Sequence, residues 1–206
     1  MEMFLIVLGI IIVLIGVVVL VMKLLSPWMD RWRSTVEERE TVLPGDEFLD
    51  NPSRIVNRAV TINASPEKVF PWIVQLGADK SGMYSYTWLE RLVGCKMAKV
   101  EAIKPEWQNL KEGDLMKMCA GEFAPPPYTV VKVIPDQAII YGHKEKDTWV
   151  ELWQFVLVPQ SDETIRLITR TRTNMVGGMW EAFNRVAFFM ERKMLLTIKR
   201  LSETAR

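Results

Sequence analysis

Hydrophobic positions along the chain fall into distinct regimes. From Met3 to Met22 every residue is apolar or glycine, a run of 20 without a charge. That is the length an α-helix needs to cross a hydrocarbon layer. Between Leu115 and Thr173 apolar residues come in short runs rich in β-branched and aromatic side chains, which reads as strands. From Gly177 to Ser202 the period becomes helical. Trp180, Phe183, Ala187, Met190, Met194, Ile198 and Leu201 share one stripe at i, i+3/i+4 spacing. No Gly or Pro follows Gly178, so this segment predicts a single helix roughly 40 Å long.

The stretch between these regimes adds a strand and two helices. Ala59–Ile62 reads as a strand. Ser65, Pro66 and Glu67 form a helix entry: a hydroxyl cap, a proline at the first helical position and an acid at the positive end. Val69, Phe70, Trp72, Ile73, Val74 and Leu76 supply that helix's apolar face, and Gly77 ends it. A second helix spans Tyr84–Val93. Strands follow at Leu115–Met118, Tyr128–Ile134, Ala138–His143, Thr148–Val158 and Thr164–Thr173. In Thr148–Val158 one face carries Trp149, Trp153, Phe155 and Leu157, the other Val150, Leu152, Val156 and Val158. A strand apolar on both faces is covered on both, or turns one toward a cavity or partner. The element order predicts an α+β fold in which a curved antiparallel sheet wraps the long C-terminal helix. It divides the chain into a transmembrane anchor at 1–25, a juxtamembrane helix and tether at 26–57, and a folded domain at 58–206. Part of the tether, Phe48–Ile55, has packing against the domain as its alternative.

Charge and composition narrow the function classes. The net charge is +1, so no strong field selects nucleic acid, and no nucleic-acid partner is expected. Glu2 is the one charge ahead of the apolar run, and no small-x-small cleavage site follows it. Both features favour a retained single-pass anchor over a signal peptide. Lys23, Arg31 and Arg33 lie just after the run. The positive-inside rule then places the N-terminus outside and the body in the cytoplasm. There, Cys95 and Cys119 are expected as reduced, buried thiols, since pairing would need an oxidising compartment. One histidine and two distant cysteines make no metal spacing, and neither GxGxxG nor a P-loop occurs. No metal or cofactor is expected. His143 precedes the charged run Lys144–Asp147 and is expected at a solvated hairpin tip.

Three stretches carry a family resemblance: Arg58-Ala59-Val60-Thr61-Ile62-Asn63-Ala64-Ser65-Pro66-Glu67-Lys68-Val69-Phe70-Pro71-Trp72, Tyr84-Ser85-Tyr86-Thr87-Trp88-Leu89-Glu90 and Met190-Glu191-Arg192-Lys193-Met194-Leu195. With them, residues 42–204 resemble the START-like, Bet v 1-like helix-grip superfamily (SRPBCC). That superfamily includes polyketide cyclase/dehydrase-like proteins and a membrane-anchored bacterial subgroup. The resemblance implies a deep cavity between the sheet and the last helix that takes an apolar ligand. Candidate lining residues are Trp72, Tyr84, Tyr86, Trp88, Trp149, Trp153, Trp180 and Phe183, each with ordinary core packing as its alternative. Asn184 and Glu191 flank the helical stripe. Glu191 either orients a polar group of the ligand or forms an ion pair, with Arg166, Arg170 or Arg172 on the last strand or with neighbouring Arg192 or Lys193. The expected function is membrane-anchored binding or transfer of a hydrophobic small molecule such as a lipid, quinone, isoprenoid or polyketide-like compound. The alternatives are a cyclase/dehydrase-type enzyme in which Tyr86, Glu90 or Glu191 moves protons, and an interaction protein with a vestigial cavity. Phe189 and Leu196, among Arg185, Arg192 and Arg200, are read as ordinary surface or as a face toward the membrane.

Overall fold

A computed structural model describes residues 2–121 and 124–204. The chain opens with α1 (Glu2–Asp30), long and apolar enough to cross a membrane, and a short α2 (Val36–Glu40). Strand β1 (Arg54–Ile62) leads into α3 (Pro66–Val74) and α4 (Thr87–Leu92). Strands β2 (Leu115–Met116), β3 (Tyr128–Ile134), β4 (Ala138–Glu145), β5 (Thr148–Ser161) and β6 (Thr164–Thr173) follow, and α5 (Gly178–Thr204) closes the chain. The six strands form one antiparallel sheet in the order β1-β6-β5-β4-β3-β2. It is a meander in which β1 returns to pair with β6, from Arg54 opposite Thr173 to Ile62 opposite Ile165. The curved sheet holds α5 against its concave face, so the fold is α+β as the element order predicts.

The concave face carries the main core. Val60, Ile62, Ile139, Tyr141, Phe155, Leu157, Ile165 and Leu167 from the sheet meet Met194, Leu195, Ile198 and Leu201 of α5 and Val69, Trp72 and Ile73 of α3. Burial of these side chains contributes about 1.5–3 kcal/mol each for the larger ones. The convex face is also covered. Leu43 and Leu49 lie over Ala59, Ala138, Ile140, Leu152, Val156 and Ile168 as a second core. This double cover explains why β5 is apolar on both faces. Asp46, in a 3-10 turn of the covering segment, accepts from Arg170 at 2.5 Å and forms an ion pair with Arg172 at 3.2 Å. Arg170 is 2% exposed and also donates to Asn57 and to the carbonyls of Glu38 and Thr41. Arg166 pairs with Glu38 at 2.7 Å. The shared face of the three arginines is therefore the convex face, where the chain around Asp46 shields Arg170 and Arg172 from solvent.

Four local expectations are corrected. The juxtamembrane helix expected from residue 26 does not open there, because α1 runs on through Pro27 to Asp30; α2 instead follows Thr35, whose hydroxyl and Glu38 form a capping box. The apolar stripe of α5 is buried only from Met194 onward; Ala187 and Met190 are half-buried, and Trp180 and Phe183 stay 40% and 53% exposed. Leu196, read as lying opposite the core, packs against it. Cys95 and Cys119 are joined in a disulfide. The segments around them run side by side, with the Lys96 amide donating to the Ala120 carbonyl at 2.6 Å, a proximity that a spacing of 24 residues does not reveal.

Candidate functional site

Toward the N-terminal end of α5 the concave face changes from apolar to polar. Side chains alternate along strands, so the inward parity of Phe155 and Trp153 passes to Glu151, that of Tyr141 to His143, and that of Val60 to Arg58. On β6 the same parity carries Leu167, Thr169, Thr171 and Thr173. The parity breaks at a bulge that sets Trp149 opposite Lys144. Trp149 thereby crosses to the convex core and lies over Gly142, where a Cβ would meet its ring at 2.7 Å.

Two polar groupings result. In the first, Arg58 of β1 and Glu191 of α5 form a buried ion pair. The second Glu191 oxygen accepts from Thr169 Oγ1 at 2.5 Å. Arg58 Nε donates to the Met29 carbonyl at 3.0 Å, and its guanidinium covers the Phe188 ring. Glu191 thus ties α5 to β1 and β6, and through Arg58 to the end of α1. Its partner is a strand arginine, though not one of the three on β6.

The second grouping is Glu151, Tyr128, His143 and Trp153. Tyr128 Oη donates to Glu151 Oε2 at 2.5 Å. Its ring stacks edge-on to His143, with centroids 6.4 Å apart, and lies 6.2 Å from Trp153. Burial raises the Glu151 carboxyl above the ordinary range, against the lowering pull of the Tyr128 bond and of His143. Burial and the Glu151 charge hold the Tyr128 phenol well above its usual value, and the Glu191 charge adds to them. The Trp153 indole N–H is buried without a protein partner. An orphan buried donor is costly unless something accepts from it.

The raised carboxyl has a measurable consequence. A folded pKa above the unfolded one means the fold favours neutral Glu151. That contribution is complete below the ordinary glutamate value and is lost as pH rises through the raised one. Glu151→Gln keeps an acceptor for Tyr128 without the charge. It is expected to unfold at higher temperature than the parent at about pH 8, with the gap closing at about pH 4. Thermal melts across that range check it, and a gap independent of pH contradicts it.

The other sequence-predicted site residues are dispersed. Trp72 and Tyr84 are buried and meet edge-on at 6.1 Å. Tyr84 accepts from the fully buried Gln75, whose side chain also holds Ala102, Lys104 and Gln108, so Tyr84 belongs to a loop-fastening network. Tyr86 is half-buried at the start of α4, and Trp88 is 67% exposed. Trp153 is 7% exposed and belongs to the polar grouping. Trp180 and Phe183 pair edge-on near the start of α5, with half-buried Asn184 beside them. Glu90 is buried on α4, where burial raises its carboxyl and Ser85 donates to it. Sequence reasoning passed over Glu151, Tyr128 and Arg58, and it took His143 for a hairpin tip. A glutamate in step with Trp153 and Phe155 was the available signal.

The interior between the lower sheet and α5 is filled with side chains. Hollows among the described residues include one of about 470 Å³ beside Arg91 and Gly94–Ala98 and one of about 80 Å³ between Tyr84, Lys99 and Thr197. Among the described residues, no three His, Cys, Asp or Glu side chains converge as a metal site would.

The sheet order and the gripped helix decide the architecture. The chain carries a helix-grip fold, a curved antiparallel sheet closed on a long C-terminal helix. No family model and no curated protein matches the sequence. Solved structures similar to it include Aha1 from Colwellia psychrerythraea, at 18% identity over 73% of this chain and 97% of that one, with a TM-score of 0.46. The self-sacrificing resistance protein CalC from Micromonospora echinospora shows 13% identity over 74% and 96%, with a TM-score of 0.45. Protein MLL2253 from Mesorhizobium loti shows 14% over 74% and 99%, also at 0.45. These likenesses concern the fold and carry nothing about ligand or activity.

Proposed function

We propose that this protein binds or transfers a hydrophobic small molecule at a membrane, with α1 as a single-pass anchor; the charges after the span favour a cytoplasmic body, whereas the Cys95–Cys119 disulfide favours the opposite side. The observation that carries the reading is the unpartnered Trp153 N–H beside Glu151 and Tyr128, where the apolar concave core gives way to polar side chains. Such a site suits a largely apolar ligand with one oxygen acceptor, since a few placed polar groups in an apolar lining fix a ligand's orientation. Lipids, quinones, isoprenoids and polyketide-like compounds share that chemistry, and the anchor would keep the domain beside a membrane-dissolved supply.

The test is to purify the full chain in mild detergent and identify co-purifying small molecules by mass spectrometry. One recurring lipophilic compound is the expected result. Trp153→Phe keeps the aromatic bulk but removes the donor, and is expected to retain about tenfold less of it, the worth of about one hydrogen bond. Empty protein, or equal recovery from the variant, overturns the reading.

A second reading is favoured by the same grouping. Glu151, Tyr128 and His143 place titratable groups within reach of one another, as proton transfer at a ligand carbonyl requires. An enzyme of the cyclase/dehydrase type would show conversion of the recovered compound, abolished in Glu151→Gln while binding persists.

A further inference from the structure

We propose that the first half of α5 contacts the lipid bilayer, seating Trp180, Phe183, Val186 and Phe189 at the boundary between headgroups and acyl chains. The inference rests on α1 spanning the membrane. It adds that the domain itself, and not the anchor alone, meets lipid.

Exposure is the first observation. Val176, Trp180, Phe183, Val186 and Phe189 are all between 40% and 56% exposed, clustered where α5 stands clear of the sheet. The register of α5 against α1 says what covers them. Arg192 stacks over Trp32 at 5.5 Å, and Phe188 meets Trp32 at 6.3 Å and Trp28 at 5.4 Å. Both helices therefore approach the span in the same direction: moving back along α5 from Arg192 to Phe188 moves back along α1 from Trp32 to Trp28. Eight more residues toward Trp180 add about 12 Å, which carries the exposed apolar residues toward the apolar run of α1. On α1, Met22, Ser26 and Met29 share one helical face and are less exposed than their neighbours. That face follows the buried Trp32 and Met29 back toward the span.

The polar groups are ordered to match. Arg33 and Arg192 both stack over Trp32, one turn beyond Trp28. Indoles and cations favour the headgroup layer. Trp180, Phe183 and Val186 lie on the hydrocarbon side of that level. The polar end of the concave face lies at the same end of the domain as this half-helix, so a molecule leaving the bilayer would meet the Glu151–Tyr128–Trp153 grouping first.

The test places the photocrosslinker p-benzoylphenylalanine at Phe183, at Leu14 within the α1 span, and at the exposed Asp162 in the β5–β6 turn. Full-length chains are reconstituted into phosphatidylcholine–phosphatidylglycerol vesicles, irradiated and weighed. The expected result is a mass increase of one phospholipid at Phe183 and at Leu14, and none at Asp162. Adduct at Leu14 without adduct at Phe183 overturns this inference and leaves the anchor standing. No adduct at Leu14 overturns the anchor and this inference with it. A protein–protein crosslink at Phe183 in place of lipid assigns the face to a second copy of the chain and also overturns it.

Discussion

Asp46→Ala is expected to lower the unfolding free energy by about 3–5 kcal/mol, the cost of breaking a buried ion pair from one side. Asp46 accepts from Arg170, Gln154 and the Leu43 amide and pairs with Arg172. Its removal strands two guanidiniums that the convex-face cover shuts away from water. The loss is a large share of the roughly 5–15 kcal/mol available to a typical domain. Denaturant unfolding in detergent, followed by tryptophan fluorescence, measures it. The cover from Leu43 to Leu49 should also become an early site of proteolysis. A loss below about 1 kcal/mol, the scale of an exposed ion pair, would show that the convex-face network is solvated.

The second large effect is expected at Glu191. Glu191→Ala leaves Arg58, 4% exposed, without a counter-charge and Thr169 without its acceptor, and should again cost about 3–5 kcal/mol. The paired change Arg58→Met with Glu191→Met removes both charges and replaces them with volume, so most of the loss should be recovered. One defect would remain in the double variant, because the Met29 carbonyl loses the Arg58 donor. Faster hydrogen exchange near Trp28–Trp32 is its expected signature. If the double variant is as unstable as the single one, the site needs these groups for more than charge balance.

Those two effects also mark what a sequence shows and what it hides. The Pro66 helix start, the two-faced β5 and the uninterrupted α5 were legible, because proline's fixed φ, alternation and helical period are local; the Ser65 hydroxyl, expected as a cap, makes no cap bond. The parity of Arg166, Arg170 and Arg172 was legible too. Their burial was not, since it depends on residues 41–50 folding back across the sheet. The partner of Glu191 was hidden for the same reason: Arg58 lies 133 positions away and meets it only through the pairing of β1 with β6. Trp149 was misplaced because a bulge shifts alternation by one step. His143 lies in β4 and not at a tip, because the strand runs on through Lys144 to Glu145.

The disulfide has a consequence for the covalent state of the chain. Cys95 and Cys119 close a loop that contains β2 and the Pro105–Trp107 turn. In a reducing compartment glutathione opens such a bond, whereas an oxidising one preserves it. With the body on the side that Lys23, Arg31 and Arg33 favour, backbone contacts such as Lys96 to Ala120 would hold that loop unaided. On the opposite side the loop would be sealed. The same polypeptide thus carries a chemical record of its orientation: the fraction of chains whose thiols react with an alkylating agent before any reductant is added measures which face of the membrane the domain occupies.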